Sequence, residues 1–487
     1  MANDQRDEQL FAVDVTPFEA QHERLTGGVN KMFRHYDPRQ QFLVPPSLDD
    51  WLGENHLARF VSDLVEEVLD LEPFLSSYRE VRGYPPYDPR LMLKILLYGY
   101  TTGTRSSRAI ELACSDVVAF RWLSANQTPD FRSIARFRRR HLVALRELFR
   151  TSLELCREAG MVTLGTVALD GTKVRANASR RKAMSYRHLS DKERILAAEV
   201  DDLLHDAEVT DAREDRAFGK DKRNEDLPRE LARREHRLAV MRKAKADLEE
   251  RAKEAAATTA RERATKAGLE DVEVEQKAAE AASVAVPKDT AQANFTDPDS
   301  RIMKTSDGSF HYCYNAQAIV DGVHQVIVAT SLDNRSSDCP TLPSMLDQMN
   351  KNTGTSPRRL LCDAGYFSED NVKAATARGV DAYIATGRLR HEEVMPATPR
   401  GRIPRNLSAK ERMARKLRTK PGRAAYARRK TIVEPVFGQI DTCQGGKRLL
   451  LRGIEGATAE WDLLAACHNL RKLFNFTTTA KMVTTKA

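Results

Sequence analysis

Three carboxylates in this chain are placed where they could share chemistry. Asp170 ends the apolar run TVAL, Asp363 ends the run RLLC, and Glu434 directly precedes Pro435, a residue type suited to a first helical turn. Carboxylates converging from separate elements can hold hard divalent cations such as Mg2+, which take oxygen ligands and keep waters for phosphate oxygens. Two such ions about 4 Å apart can activate an attacking oxygen and stabilise the leaving one in an in-line displacement. Each residue also has an ordinary reading. Asp170-Gly171 suits a hairpin turn, Asp363 suits a cap on the turn AGYFS, and Glu434 suits a dipole-compensating acid at a helix start. Only their combination is informative. Asp338, in NRSSDCP, and Asp333 are rival metal ligands that rank lower, because their polar loop suits capping of the next helix.

Positioning three separated carboxylates requires a sheet, and strand patterns begin at Met161. MVTLGTVALDGTKVRANAS alternates and is β-branched, predicting two strands joined by an Asp-Gly turn. SFHYCYNAQAIVDGVHQVIVATSLD predicts a hairpin around Asp321-Gly322. A helix over Pro340 to Met349, a strand in RRLLCDAGY, a helix over Glu369 to Arg378 and a short strand in YIATG complete an α/β mixed sheet.

Between Lys182 and Lys288 the sheet pattern gives way to charged, helix-favouring sequence. SDKE at Ser190 to Glu193 has the form of a capping box, followed by Ile195, Leu196, Val200, Leu203 and Leu204 at helical spacing. Leu231, Leu238, Met241, Leu248, Ala252 and Ala255 form a narrow apolar seam on a second helix. Two antiparallel helices forming a solvated arm are expected.

Ahead of the sheet, helical periodicity starts near Leu57, and DPRLMLKILLYGYTTG opens with Pro89 in its first turn. SSRAIELACSDVVAFRWL and then TPDFRSIARFRRRHLVALRELFR complete a helix-turn-helix-like set, the last read as one basic helix capped by Asp130. Ile134, Phe137 and Leu142 face inward, whereas Arg132, Arg136, Arg139 and Arg140 project outward, where phosphates suit them.

The net charge of +9 is modest for 487 residues. Its distribution says more, since Arg388 to Lys430 holds fifteen Lys/Arg against Glu392, Glu393 and Glu411. Such a stretch is expected to be solvated or flexible until a polyanion orders it. No apolar run approaches the ~20 residues of a membrane span, and the acidic start is unlike a signal peptide, so a cytoplasmic protein is expected. The seven scattered cysteines predict reduced thiols and no structural zinc.

ALDGTKVRANAS, SFHYCYNAQAIVD, LLCDAGYFSED, YARRKTIVEPVFGQI, LLLRG and CHNLRKLF, in this order, strongly resemble the DDE-class transposases of bacterial insertion sequences. The stretch from Tyr84 to Arg150 resembles their InsH-like N-terminal domain. The resemblance implies an RNase H-like mixed-sheet core, interrupted by a helical, coiled-coil-like insertion and preceded by an all-α N-terminal domain. The expected parts are a weakly ordered segment over 1–48, a helical DNA-binding domain over 49–160, a catalytic domain over 161–181 and 289–478, an arm over 182–288, and a tail over 479–487.

The resemblance further implies that Asp170, on the first core strand, Asp363, after the fourth, and Glu434, on a later helix, form a catalytic triad. This triad would hold two Mg2+ or Mn2+ ions. The partners implied are transposon terminal repeats, target DNA and a second copy of the chain, in a nucleoid-associated setting. Tyr426, Arg429 or Lys430, and Glu434 match a signature that handles the transposon end. Asp441 departs from it by standing where a lysine is expected, with Lys447 or Arg448 as substitutes for that contact. Trp461 could stack on a flipped base, although burial suits it better, and His468 suits helix packing. Two other readings remain: a nuclease of the same fold without strand transfer, and an impaired or repurposed DNA-binding copy.

Overall fold

The computed structural model describes residues 47–78, 85–218, 226–387, 397–404 and 406–484. Most of the expected 1–48 segment, Tyr84, Arg388, Arg390, Glu392, Glu393 and Arg405 lie outside them, as do the side chains of Leu203, Leu204 and Leu231. The chain divides into two units, 1–51 and 52–487. In the first, Leu48–Trp51 forms one 3-10 turn.

The second unit opens with α1 (Leu57–Asp63), α2 (Pro89–Thr102), α3 (Ser107–Asp116), α4 (Val118–Leu123), α5 (Phe131–Arg140) and α6 (Leu142–Glu158). Pro89 stands in the first turn of α2, where its missing N–H costs nothing, and the Asp88 side chain accepts from Arg90 N. Asp130 caps α5 by accepting from Arg132 N and Ser133 N. The basic helix expected to run on from there ends instead at His141, whose ring packs against Phe74, Phe137 and Tyr78. His141 itself is out of helical geometry, at φ −111° and ψ 32°. Leu142 consequently starts α6 and is only partly buried.

The sheet comprises β1 (Val167–Arg175), β4 (Arg301–Lys304), β5 (Phe310–Asp321), β6 (Ile327–Asp333), β7 (Arg359–Cys362) and β8 (Asp381–Ile384). Its order is β4-β5-β1-β7-β8, with β6 also paired to β5. β5 lies antiparallel to β1, β4 and β6, whereas β1, β7 and β8 run parallel. The turn expected at Asp170-Gly171 is absent: β1 passes straight through, with Asp170 opposite Ala318 and Gly171 opposite Gln317. The glycine serves close packing, since a Cβ there would come within 2.9 Å of Gln317 Nε2 and 3.2 Å of Asp338 Oδ1.

Alternation along β1 divides the core. Ala168 packs with α2 and with two late helices, α13 (Lys420–Cys443) and α14 (Gly453–Thr484). Val167 and Leu169 pack with α10 (Leu342–Thr353) and α11 (Glu369–Ala377). The last helix α14 continues through the stretch expected to be a tail, as far as Thr484.

The arm consists of α7 (Tyr186–Phe218), α8 (Asp226–Lys266) and α9 (Asp271–Ser283). A two-stranded pair, β2 (Ala183–Ser185) with β3 (Gln292–Asn294), brackets it. α7 and α8 run antiparallel, as the partners Tyr186–Glu249, Glu193–Lys245 and Glu199–Arg234 descend along one helix while rising along the other. Leu189, Leu196, Val200, Leu238, Met241 and Leu248 fill the seam, whereas Ile195 and Ala255 are exposed. Ser190 lies inside α7 rather than capping it. Tyr186 and Arg187 N donate instead to the carbonyls of Ala291 and Asp289, so helix geometry starts four residues early. The capping box occurs at Ser408 and Glu411, at the start of α12 (Ala409–Arg418). The basic stretch over 409–430 is therefore helical through α12 and into α13, stabilised by local caps.

Candidate active site

Asp170 and Asp363 occupy corresponding places on neighbouring parallel strands. Leu169 of β1 pairs with Cys362 of β7, so the next residue on each strand is one of the two aspartates. Adjacent strands lie about 4.8 Å apart, which brings the two carboxylates side by side where β7 ends and β1 continues. Asp363 Oδ1 accepts from Gly365 N at 2.9 Å and caps the turn Ala364–Tyr366, so its capping role and its place beside Asp170 coexist. Asp170 Oδ1 accepts from Gly171 N at 2.9 Å. Burial holds the Asp170 carboxyl above its usual range and the Asp363 charge adds to this, while Arg429 and the Gly171 N–H work against it.

Arg429, on α13, donates from Nη1 to Asp170 Oδ2 at 2.6 Å. Their side chains are only 13% and 19% exposed. Burial disfavours the guanidinium, but Asp170, Tyr426 and Asp363 outweigh it and hold Arg429 above its ordinary range. Tyr426 packs partly buried against the core three residues earlier, and burial raises its hydroxyl.

Glu434 stands apart from this pair, exposed on α13. It follows Arg429 by five residues, about 140° around a helix, so it and Arg429 leave the axis in different directions. Among the described residues, no group of three or more His, Cys, Asp or Glu is placed to hold a metal ion. The expected helix start at Pro435 is not observed, since α13 begins at Lys420, where the Thr419 side chain accepts from Gly422 N and Pro421 fills the first turn. Pro435 is interior, and Glu434 therefore has no helix-start role.

Asp338 lies much closer to the aspartates than its sequence context suggested. Its carboxylate makes no capping bond to the following turn. Instead Oδ1 accepts from Lys173 Nζ at 3.0 Å, Asn315 Nδ2 at 2.6 Å and Gln317 Nε2 at 2.8 Å. Gln317 Oε1 in turn accepts from Thr341 Oγ1 and Tyr366 Oη, linking this network to the turn after Asp363. A Cβ on Gly365 would stand 3.1 Å from Asp363 Oδ1 and 3.3 Å from Asp338 Oδ2, so the two carboxylates flank one glycine. Sequence reasoning passed over Asn315 and Gln317, though polar residues within the buried strand YNAQAIVD were the available signal. Asp333 ends β6 paired with Arg335.

The basic residues fall into separate places. Arg132, Arg136, Arg139 and Arg140 are exposed on α5. Arg132 lies over the Phe131 ring, while Arg140 lies over Tyr78 and donates to the Ser77 carbonyl. Lys430, Lys447 and Arg448 are also exposed. The 447–449 backbone is tied to the end of β1, as Arg175 N donates to Lys447 O and Leu449 N to Arg175 O. Arg448 Nη2 donates to Asn177 Oδ1 at 3.1 Å. Burial raises the Asp441 carboxyl and the Lys447 charge opposes it. Trp461 is fully buried and donates from Nε1 to the Gln317 carbonyl, so its ring serves packing.

Asp170, within β1, and Asp363, just after β7, thus lie side by side, with Arg429 of α13 on the Asp170 carboxylate. Comparison with known families gives two matches, a Transposase domain (DUF772) over residues 46–140 and a Transposase DDE domain over residues 280–470. The two matches support a DDE-class insertion-sequence transposase. The DDE match contains Asp363 and Glu434, while Asp170 precedes it. Neither the curated proteins nor the solved structures supply a match. No helix among the described residues is long and apolar enough to cross a membrane.

Proposed function

We propose that this protein cleaves DNA at the ends of an insertion sequence and joins the freed ends to target DNA, using Asp170, Asp363 and Glu434 to hold divalent metal. The register that sets Asp170 beside Asp363 under α13 carries this reading. Their hard oxygen donors fit Mg2+ or Mn2+, and the cation now balancing Asp170 is the Arg429 guanidinium. When bound, a pair of such ions supplies activation of an attacking oxygen and stabilisation of the leaving one. Asp170 and Asp363 would fix the site to the sheet, with Glu434 contributing from α13. The chain order of the strands supports an RNase H-like core: β6, β5 and β1 adjacent and antiparallel, then β7 and β8 parallel to β1.

In this reading Arg132, Arg136, Arg139 and Arg140 bind DNA phosphates, and Tyr426, Arg429, Lys430, Lys447 and Arg448 bind the transposon end. Holding two ends together calls for two copies of the chain. The 49–160 and 182–288 segments act as DNA-binding domain and arm, with 161–181 and 289–478 as the catalytic domain. Asp441, standing where the resemblance leads to a lysine, keeps a second reading, an impaired or repurposed copy that binds DNA without cutting it.

Both readings are tested by cleavage of a supercoiled plasmid carrying the element's own ends, in Mg2+, by wild type, D170N, D363N and E434Q. Loss of cleavage with retained DNA binding in all three variants supports the triad. Normal cutting by any one removes that residue from the site, and a wild type that binds but does not cut in Mg2+ or Mn2+ selects the second reading.

A further inference from the structure

Pro435 creates a defect in α13. Proline has no N–H, so the carbonyl four residues earlier, that of Thr431, loses its helical donor. That carbonyl accepts instead from Gln325 Nε2 at 3.0 Å. Gln325 belongs to the turn between β5 and β6, more than a hundred residues away in sequence. It adopts φ +59°, a conformation that L-residues rarely hold without reason. Its other polar groups are also engaged: Lys472 Nζ donates to Oε1 at 2.8 Å, and His468 Nε2 donates to the backbone carbonyl at 3.0 Å. One residue thus fastens the β5–β6 turn to α14 and to the broken turn of α13.

Glu434 lies within that broken turn, between Thr431 and Pro435. A helix interrupted by proline bends most easily where its hydrogen bond is missing. Without an outside donor, the turn bearing Glu434 would lack one backbone hydrogen bond, whereas Asp170 and Asp363 are fixed by the sheet.

We infer that Gln325 is a positioning residue for the catalytic site: it replaces the hydrogen bond that Pro435 removes and thereby fixes Glu434 relative to Asp170 and Asp363. The inference rests on the triad reading above.

The selective variant is Q325E, which keeps an oxygen for Lys472 and the backbone carbonyl for His468 but takes the donor away from Thr431. The rescuing change is P435A, which restores the N–H inside the helix. In the plasmid assay at saturating DNA, Q325E is expected to cut about tenfold to a hundredfold more slowly, with unchanged DNA affinity, since small misplacements at an active site cost rates of that order. Q325E/P435A is expected to regain most of the wild-type rate. A bond that merely stabilised the fold would show in the melting temperature of Q325E and leave the rate of the folded fraction intact. Wild-type cutting by Q325E, or failure of P435A to rescue, overturns the assignment. E434Q in the same series separates the two layers: normal cutting by E434Q removes the triad reading and this inference with it, whereas an inactive E434Q beside a fully active Q325E overturns only the role of Gln325.

Discussion

Arg429 Nη1 stands 2.6 Å from Asp170 Oδ2, and this ion pair occupies the carboxylate that the proposed site offers to metal. A cation from the chain and a divalent ion would compete for one oxygen. Asp170 is buried beside a second acid, so some counter-charge is needed before any metal arrives.

R429Q should therefore destabilise the metal-free protein. Removing one member of a buried pair costs about 3–5 kcal/mol, and the residual exposure of these two side chains lowers the expectation to about 2–3 kcal/mol. Mn2+ should restore more stability in R429Q than in wild type, because it replaces the missing positive charge. Thermal melts of both proteins with and without Mn2+ decide the matter, and equal metal-induced shifts would contradict the proposed competition.

Gly171 offers a second test, through packing. A Cβ there would meet Gln317 Nε2 at 2.9 Å, and that amide has little freedom because Asp338, Thr341 and Tyr366 hold both of its ends. G171A should cost about 1–3 kcal/mol in urea unfolding, the usual range for an overpacked core. A turn-forming glycine would instead need positive φ, whereas Gly171 is paired strand residue. Little or no loss of stability in G171A would show that the network yields.

The same position shows what could be read from the sequence. The alternating pattern around TVALDGTKV located β1, but an Asp-Gly pair carries identical local information in a turn and in a strand, and only Gln317 and Asp338 from elsewhere settle the choice. Pro435 misled for the same reason. Proline suits a first turn on local grounds, and its acceptance inside α13 accompanies a donor from the distant turn residue Gln325. Asp130 was legible because a cap is made within three residues. Placement of Asp170 beside Asp363 needed the strand order, which no short segment encodes.

Stability should also fall as the solution is acidified below neutral pH. His468 is buried in α14 and burial depresses its pKa to about 4, while the hydrogen bond to Gln325 only partly opposes this. His141 is likewise depressed to about 4, by burial first and the Arg140 charge second. In the unfolded chain both rings titrate near 6.5. Between these values the unfolded state binds more protons than the folded one, so the histidine contribution is fully present above about pH 6.5 and is lost as pH falls toward 4. Two such groups give a slope of up to ~2.7 kcal/mol per pH unit. The carboxyls of Asp297 and Asp462, raised by burial, act in the opposite sense, so the histidine slope is read as the difference between wild type and H468N from pH 6.5 to about 5.5. Urea unfolding across that interval should show H468N losing roughly 0.5 to 0.9 proton of the wild-type slope, ~0.7–1.2 kcal/mol per pH unit. An unchanged slope in H468N would mean that His468 titrates normally in the folded protein and that α14 opens to water around it.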